Sequence, residues 1–323
     1  MQTDPRSMHP MTLETGVTRL NRKRDSNAQR VGCVVCFCVA FLLFSNVAAQ
    51  TPVFYVVNQN DNTVYKFDSA GTPTLFANSG LDYPGGAALL GGYLYVANQN
   101  NNTIYKFDSS GAGTLFASTS LSYPVGLAFA SDGYLYVANE SDNSIYKFDT
   151  SGNGTLFANT GLDAPVGLAF DTGGNLYVAN YGNNTIEKFN TSGIGSVFAN
   201  ANLNGPVGMA FDQAGYLYVA NQTGNTIYKF DTSGNGTLFA DTGLSSPAGL
   251  VFDSNTNLYV ANSGNNTIEK FDTSGNGSVF ADSQLNSPQF IAVSGLPLIP
   301  EPATCSLLML GLAAVLIRRR SRG

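Results

Sequence analysis

Short apolar runs repeat along this chain with a spacing close to 41 residues. The clearest marker is a Tyr-Val-Ala-Asn segment or a close variant, whose final asparagines are 40, 41, 41, 41 and 41 residues apart. These asparagines are Asn58, Asn98, Asn139, Asn180, Asn221 and Asn262. A fixed period of this length indicates a repeat architecture. The sequence therefore contains six copies of one unit.

Each unit contains four apolar runs of four or five residues, rich in Val, Ile, Phe and Tyr. In the fourth unit they are residues 166–170, 176–179, 185–189 and 196–199. Runs this short, bounded by Gly, Asn, Asp, Ser or Pro, predict β-strands joined by tight turns. A four-stranded sheet that is apolar on both faces must stack on copies of itself. Four strands in about 40 residues are typical of a β-propeller blade.

The two ends of the repeat region indicate how the ring closes. The first copy lacks its opening strand and begins at residues 52–57, whereas residues 288–293 form an extra opening strand after the last copy. Joined, the two fragments complete one blade and remove the edge that a linear array would expose. We therefore predict an all-β fold, a closed six-bladed β-propeller over residues 50–295.

Charge is distributed unevenly between this region and the chain ends. Residues 50–299 contain six lysines, no arginine and 18 acidic residues, a net charge of −12. An acidic body repels phosphate backbones, so we expect no nucleic-acid partner. The four cysteines (Cys33, Cys36, Cys38, Cys305) and the single histidine, His9, all lie outside the repeats. The repeats therefore offer no imidazole or thiolate to a zinc site.

The N-terminal segment has the order of a secretory signal. Basic residues precede an apolar run at 31–44, and small residues follow at 45–49. This order predicts a signal peptide over residues 1–49 that signal peptidase removes before Gln50. The alternative is an uncleaved anchor helix, although the run is short for a membrane span.

The C-terminal segment, 296–323, ends in an apolar stretch at 303–317 followed by arginines. Read from the residues alone, it is a short membrane segment stopped by cationic side chains. The ordered features are Pro300, Glu301, Pro302, the apolar stretch, and then Arg318, Arg319 and Arg320. This order resembles the PEP-CTERM sorting signal of Gram-negative bacteria. The resemblance implies recognition by an exosortase, removal of the tail, and delivery to the cell surface or an exopolysaccharide matrix. A retained anchor is the alternative, and in both cases only the terminal segments meet the membrane.

The repeats resemble NHL repeats over residues 51–294. The likeness rests on Pro-x-Gly-Leu-Ala-Phe-Asp, Gly-x-Leu-Tyr-Val-Ala-Asn and Asn-Asn-Thr-Ile-x-Lys-Phe. NHL repeats commonly have Asp where this chain ends its second strand in Asn, and Arg where it has Thr. Without arginine, the RNA-binding mode of some NHL propellers is not expected. Related six-bladed propellers include metal-dependent lactonases and a peptide-amidating lyase.

Asparagines and tyrosines are the candidate binding residues. In a four-stranded meander, the turns between the second and third strands share a face with the connections to the next blade. We expect a ring of amides and tyrosines there, which could hydrogen-bond to and stack on sugars, or contact a protein. The ring comprises Asn98, Asn139, Asn180, Asn221, Asn262, Tyr83, Tyr123 and Tyr181. The alternative is that these asparagines are simply good turn residues.

Three Asp-Thr-Ser-Gly-Asn-Gly loops, at 149–154, 231–236 and 272–277, match the first half of a calcium-binding loop. None has the bidentate glutamate at the twelfth position. Hairpin turns capped by the aspartate are the alternative interpretation. Repeat symmetry is broken elsewhere by Glu187 and Glu269, which replace a tyrosine, and by Glu140 and Asn190.

Two functions remain open from the sequence. The first is an exported, non-catalytic binding or scaffold propeller for a protein or polysaccharide ligand, with no cofactor and no catalytic residue. The second is a calcium-dependent lactonase or other hydrolase that uses carboxylate and asparagine side chains in the central channel.

Overall fold

The computed structural model describes residues 51–294, which form 24 strands, numbered here in chain order, and no helix. The first twelve are β1 (Val53–Asn58), β2 (Thr63–Phe67), β3 (Pro73–Ala77), β4 (Pro84–Leu90), β5 (Tyr93–Asn98), β6 (Thr103–Phe107), β7 (Gly113–Ala117), β8 (Pro124–Phe129), β9 (Leu135–Asn139), β10 (Ser144–Phe148), β11 (Gly154–Ala158) and β12 (Pro165–Phe170). The others are β13 (Leu176–Asn180), β14 (Thr185–Phe189), β15 (Gly195–Ala199), β16 (Pro206–Phe211), β17 (Leu217–Asn221), β18 (Thr226–Phe230), β19 (Gly236–Ala240), β20 (Pro247–Phe252), β21 (Leu258–Asn262), β22 (Thr267–Phe271), β23 (Gly277–Ala281) and β24 (Pro288–Ser294).

These strands form six antiparallel sheets of four, which confirms the predicted six-bladed propeller. Blade I is β24-β1-β2-β3, and blades II to VI take the following strands in consecutive groups of four. The innermost strand of each blade lies next to the innermost strand of its neighbours, around a common axis. Within residues 51–294 there is no helix long and apolar enough to cross a membrane.

The ring closes as the sequence predicts. Strand β24 pairs antiparallel with β1, so that Val53 lies opposite Ser294 and Val57 lies opposite Phe290. The two ends of the repeat region therefore share blade I, and the innermost strand of that blade comes from the far end of the chain. The signal-peptide prediction (1–49) and the sorting-segment prediction (296–323) lie outside the described residues.

The hydrophobic core lies between the blades. The second strands of blades III to VI, such as β13, are buried along their whole length because a neighbouring blade covers each face. Each interface includes an aromatic cluster, in which Tyr136 meets Phe157 at 4.9 Å and Phe170 at 5.0 Å in edge-to-face geometry. At the closing interface the innermost strand carries Val293 instead of phenylalanine. Phe54 fills that space from β1, 4.3 Å from Tyr259.

Glycines bring the innermost strands close together at the axis. A Cβ on Gly167 would overlap the carbonyl oxygen of Val207, and a Cβ on Gly126 would overlap that of Val166. The same approach recurs at Gly86 and Gly208. In blade I this position is Phe290, whose ring packs against the valines at the axis. The innermost strands therefore approach one another closely around the axis.

Candidate functional site

A ring of six side chains surrounds the axis on the face that carries the turns between second and third strands. Each follows one of the six repeat asparagines directly, and its backbone N–H donates to the residue that precedes the innermost strand of the same blade. Glu140, for example, donates to the Tyr123 carbonyl at 3.2 Å. The six residues are Gln59, Gln99, Glu140, Tyr181, Gln222 and Ser263. All except Ser263 line a cavity of about 320 Å³.

The wall and the floor of this axial cavity differ in chemistry. Tyr83 and Tyr123, which precede innermost strands β4 and β8, contribute aromatic wall. The floor is a cluster in which Val125, Val166 and Val207 pack together. A ligand at this site would therefore meet amides and phenols near the opening and aliphatic side chains below.

Two glutamines in the ring hold each other in place. The Gln59 side-chain amide donates to Gln99 Oε1 at 2.9 Å, and both side chains are buried. Gly85 makes room for this pair, since a Cβ there would lie only 2.6 Å from Gln99 Nε2. Blades III to V have valine at the equivalent position. The cavity is thus asymmetric, and its amide-rich side is built by blades I and II.

Glu140 is the one carboxylate that lines the axial cavity. Burial raises the pKa of its carboxyl group. Within residues 51–294, no ion pair or side-chain hydrogen bond engages this group. Burial likewise raises the pKa of the Tyr123 phenol, with smaller contributions from Tyr83 and Glu140. The tyrosines and the carboxylate therefore share one electrostatic environment.

The structure brings the predicted tyrosines Tyr83, Tyr123 and Tyr181 to the axial cavity but places the predicted asparagines within the blades. Asn180 is fully buried. Its Oδ1 accepts from the Asp163 N–H at 3.2 Å, and its Nδ2 donates to the Gly161 carbonyl at 2.9 Å and to Thr185 Oγ1 at 3.0 Å. The equivalent side chains of Asn98, Asn139, Asn221 and Asn262 are buried and bonded in the same way. Their amides are used to hold the connection between blades.

Sequence reasoning missed the glutamines Gln59, Gln99 and Gln222. The signal was present, because the position after the repeat asparagine varies between units while the asparagine does not. A second asparagine, in each turn between second and third strands, joins neighbouring blades. Asn143, with φ of 54°, accepts from the Ala164 N–H of the next blade at 2.7 Å. Both kinds of asparagine therefore contribute to the frame around the cavity.

The three loops that resemble half of a calcium site adopt hairpin turns. Asp149 Oδ1 accepts the N–H groups of Ser151 and Asn153, each at 2.9 Å. Hydrogen bonds from the Asn153 side chain and backbone hold the pKa of Asp149 below its usual range. Asp231 and Asp272 have the same arrangement. Residues 51–294 contain no group of three or more His, Cys, Asp or Glu side chains that could hold a metal ion.

The repeated lysines lie at the opposite face, where they contact aspartate side chains or aromatic rings. Lys188 Nζ is 3.5 Å from Asp171 Oδ2, and Lys106 Nζ lies 3.9 Å from the Tyr93 ring centroid. A cleft of about 720 Å³ includes Lys188 and Asp171 on that face. It is larger than the axial cavity and more acidic, since Asp212 and Asp231 line it beside the Lys188–Asp171 pair. Glu187 and Glu269 are buried within blades IV and VI and do not reach the axis cavity.

Comparisons with known proteins give a family and a sorting motif. A profile described as SMP-30/Gluconolactonase/LRE-like region matches residues 6–202, more than half of the chain. A second profile, the PEP-CTERM protein-sorting motif, matches residues 298–321. The NHL resemblance of the individual repeats stays a prediction. No curated protein matches the chain significantly in sequence.

Several solved structures share the fold at low sequence identity. A chain of a nidogen/laminin complex is 17% identical, with a TM-score of 0.69 over 76% of this chain and 100% of that one. Virginiamycin B lyase from Staphylococcus aureus is 17% identical, with a TM-score of 0.60 over 76% and 89%. A putative gluconolactonase is 14% identical, with a TM-score of 0.55 over 64% and 80%. At these identities the similarity establishes the propeller fold.

Proposed function

The chain belongs to the SMP-30/gluconolactonase/LRE-like family, and from this premise we propose that its propeller is an exported, non-catalytic binding module. The ligand is a protein or a glycan that docks on the axial cavity. The observation that carries this proposal is the lining of the cavity, which combines tyrosines, glutamine amides and one carboxylate. Such side chains recognise ligands through stacking and hydrogen bonds.

The C-terminal motif supports a location outside the cytoplasm. A PEP-CTERM match implies export across the inner membrane of a Gram-negative bacterium, with an exosortase as the processing partner. We propose that signal peptidase removes residues 1–49 and that the mature propeller reaches the cell surface or an extracellular polysaccharide matrix. The cavity would then face outward.

Calcium-dependent lactone hydrolysis is the alternative that the family name brings forward. Calcium takes six to eight oxygen ligands, usually including several carboxylates. The axial cavity supplies Glu140 alone, and two of its glutamines are hydrogen-bonded to each other. This donor set does not fit a resident calcium ion, so we derive no metal-dependent step.

A lyase reaction finds equally little support in the described chain. One of the similar structures is described as a catalytically inactive histidine-to-alanine variant of virginiamycin B lyase. The only histidine of the present chain is His9, which lies outside residues 51–294. The cavity therefore has no imidazole for proton transfer, and a binding role is the better explanation of its tyrosines.

The test is a binding screen of the purified full chain on glycan and peptide arrays, with and without a metal chelator. We expect to find a ligand whose binding is unchanged by the chelator and is lost in Tyr123→Ala. Alanine stands at the equivalent position in blade IV, Ala164, so this substitution is compatible with the fold. The matched control is Tyr134→Ala, which removes an exposed tyrosine from the turn between β8 and β9, away from the cavity.

A lactonase assay with added calcium provides the opposing outcome. Turnover of a lactone that requires the metal and disappears in Glu140→Gln would overturn the non-catalytic proposal. Tight calcium binding by calorimetry, with a matching rise in melting temperature, would count against it in the same way.

A further inference from the structure

Glu140 is a half-buried negative charge without a counter-ion. It lines the axial cavity, and among the described residues no lysine pairs with it. A carboxylate removed from water is costly unless it meets a cation or hydrogen-bond donors. The propeller as a whole carries a net charge of −12 between residues 50 and 299. Both the local charge and the surrounding field attract a cationic ligand.

The groups beside Glu140 suit an ammonium ion. The Tyr83 and Tyr123 rings line the same wall, and aromatic faces attract cations. Gln222 and Gln289 offer amide oxygens that can accept hydrogen bonds. An ammonium group has three donors and no acceptor, so it matches a carboxylate surrounded by acceptors.

The size and floor of the cavity favour a slender, partly apolar stem. Its volume is about 320 Å³, and Val125, Val166 and Val207 contribute aliphatic surface. A ligand that bonds to Gln59 and Gln99 must share them with the hydrogen bond that these side chains make to each other. The four methylenes of a lysine can instead lie along tyrosine and valine side chains.

We propose that the axial cavity binds the side-chain ammonium of a lysine from a protein partner, with Glu140 as its counter-ion. This assignment rests on the proposed function, because it names the ligand group of the same site. The ammonium bonds to the Glu140 carboxylate, its charge lies against the tyrosine rings, and its stem covers the apolar wall. No covalent step is involved.

The experiment measures affinity of the purified full chain for a short lysine-centred peptide. Two comparison ligands are measured beside it: the same peptide with an Nε-acetylated lysine, and free glucosamine. We expect acetylation to weaken binding about tenfold or more, because it removes the charge-assisted hydrogen bond. Raised salt should weaken binding, and so should acidification through the raised pKa of Glu140.

Glu140→Gln is the decisive variant. Glutamine occupies the equivalent position in blades I, II and V, so the substitution fits the fold. We expect this substitution to weaken binding of the lysine peptide about tenfold or more. Asp241→Asn is the matched control, since it removes one exposed negative charge outside the cavity and should change affinity less than about twofold. Tyr123→Leu tests the aromatic wall independently, and it should also weaken binding.

Each of the following results would overturn the assignment. Equal affinity for the lysine and acetyl-lysine peptides, or wild-type affinity in Glu140→Gln, would exclude an ammonium held by this carboxylate. Tighter binding of glucosamine than of the lysine peptide would exclude the protein source. If array ligands bind, are lost in Tyr123→Ala and are insensitive to Glu140→Gln, the binding function stands and the ammonium assignment fails. Metal-dependent lactone turnover would remove both.

Discussion

The buried asparagines show how one side chain can fix a whole connection. Asn180 satisfies one backbone N–H and one carbonyl in the segment that leads from blade III into blade IV, and it also holds the next turn through Thr185. No other residue type offers one acceptor and two donors at this length. Repetition of this arrangement six times explains the Asn that closes every second strand.

We predict that Asn180→Ala lowers the free energy of unfolding by about 3 kcal/mol, because it leaves buried backbone groups without partners. Urea denaturation followed by circular dichroism measures the change. Asn200→Ala, an exposed asparagine with no side-chain hydrogen bond in the described structure, should change stability by less than about 0.5 kcal/mol. Similar losses for both variants would contradict the role assigned to Asn180.

Glu187 is the other residue whose environment sets a testable property. It is 5% exposed, and its carboxylate lies near Gly161 and Gly195. Burial raises the pKa of Glu187, and it raises the pKa of Glu269 in blade VI for the same reason. A folded-state pKa above the unfolded value means that the protonated form favours folding. The contribution is complete at acid pH and is lost as pH rises through the raised pKa.

The double variant Glu187→Gln, Glu269→Gln should therefore gain stability over the wild type as pH rises from about 4.5 toward 8. Below this range the two proteins should differ little. Thermal melts across the pH series measure the difference. A double variant that loses stability at neutral pH would show that the two carboxylates are favourably paired.

At the scale of elements, the repeat predicts the strands well. The predicted runs 176–179 and 185–189 correspond to β13 (Leu176–Asn180) and β14 (Thr185–Phe189) in the structure. Alternation and turn residues are local, so the sequence reports them directly. The role of Asn180 is not encoded locally, because its hydrogen-bond partners Gly161 and Asp163 belong to the preceding connection between blades. From composition alone, a buried asparagine that holds the connection between blades cannot be told from an exposed turn residue.

The candidate site was harder to predict for the same reason. The glutamines and Glu140 are single residues in otherwise similar units, and only ring closure brings them to one cavity. Tyr83 and Tyr123 were predicted because they lie in the connections between blades. The position after the repeat asparagine varies among near-identical repeats, and this variation indicates a candidate site. Its meaning becomes clear only when the structure shows that the position faces the propeller axis.

The innermost strands depend on glycine at one position. A Cβ on Gly167 would overlap the Val207 carbonyl of the next blade, and backbone cannot move there without shifting the whole strand. We predict that Gly167→Ala costs about 3 kcal/mol or more through overpacking. Gly224→Ala, where the nearest atoms are 3.3 Å from the added Cβ, is the control and should be much milder. Chemical denaturation of both variants decides between strand crowding and a general intolerance of alanine.

At the scale of the molecule, stability depends on closing the ring. Blade I combines β24 with β1, and its innermost strand supplies Gln289 and Phe290 to the axial cavity. Each blade covers two neighbours, so opening the ring exposes two apolar faces as well as the edge of β1. The fold and the cavity should therefore be lost together when this strand is removed, and both should survive a change of chain connectivity that keeps it.

A circular permutant separates connectivity from closure. Ser294 lies opposite Val53, so a hairpin loop of about four residues can join them, and new termini can be placed in the turn between β12 and β13. We expect this permutant to melt cooperatively and to bind the lysine peptide within about threefold of wild type, because every blade keeps its neighbours. Deletion of residues 288–294 should abolish both the cooperative melt and the binding. If the deletion variant melts like the wild type, closure by β24 is not what holds the propeller together, and the stability must come from the remaining five interfaces.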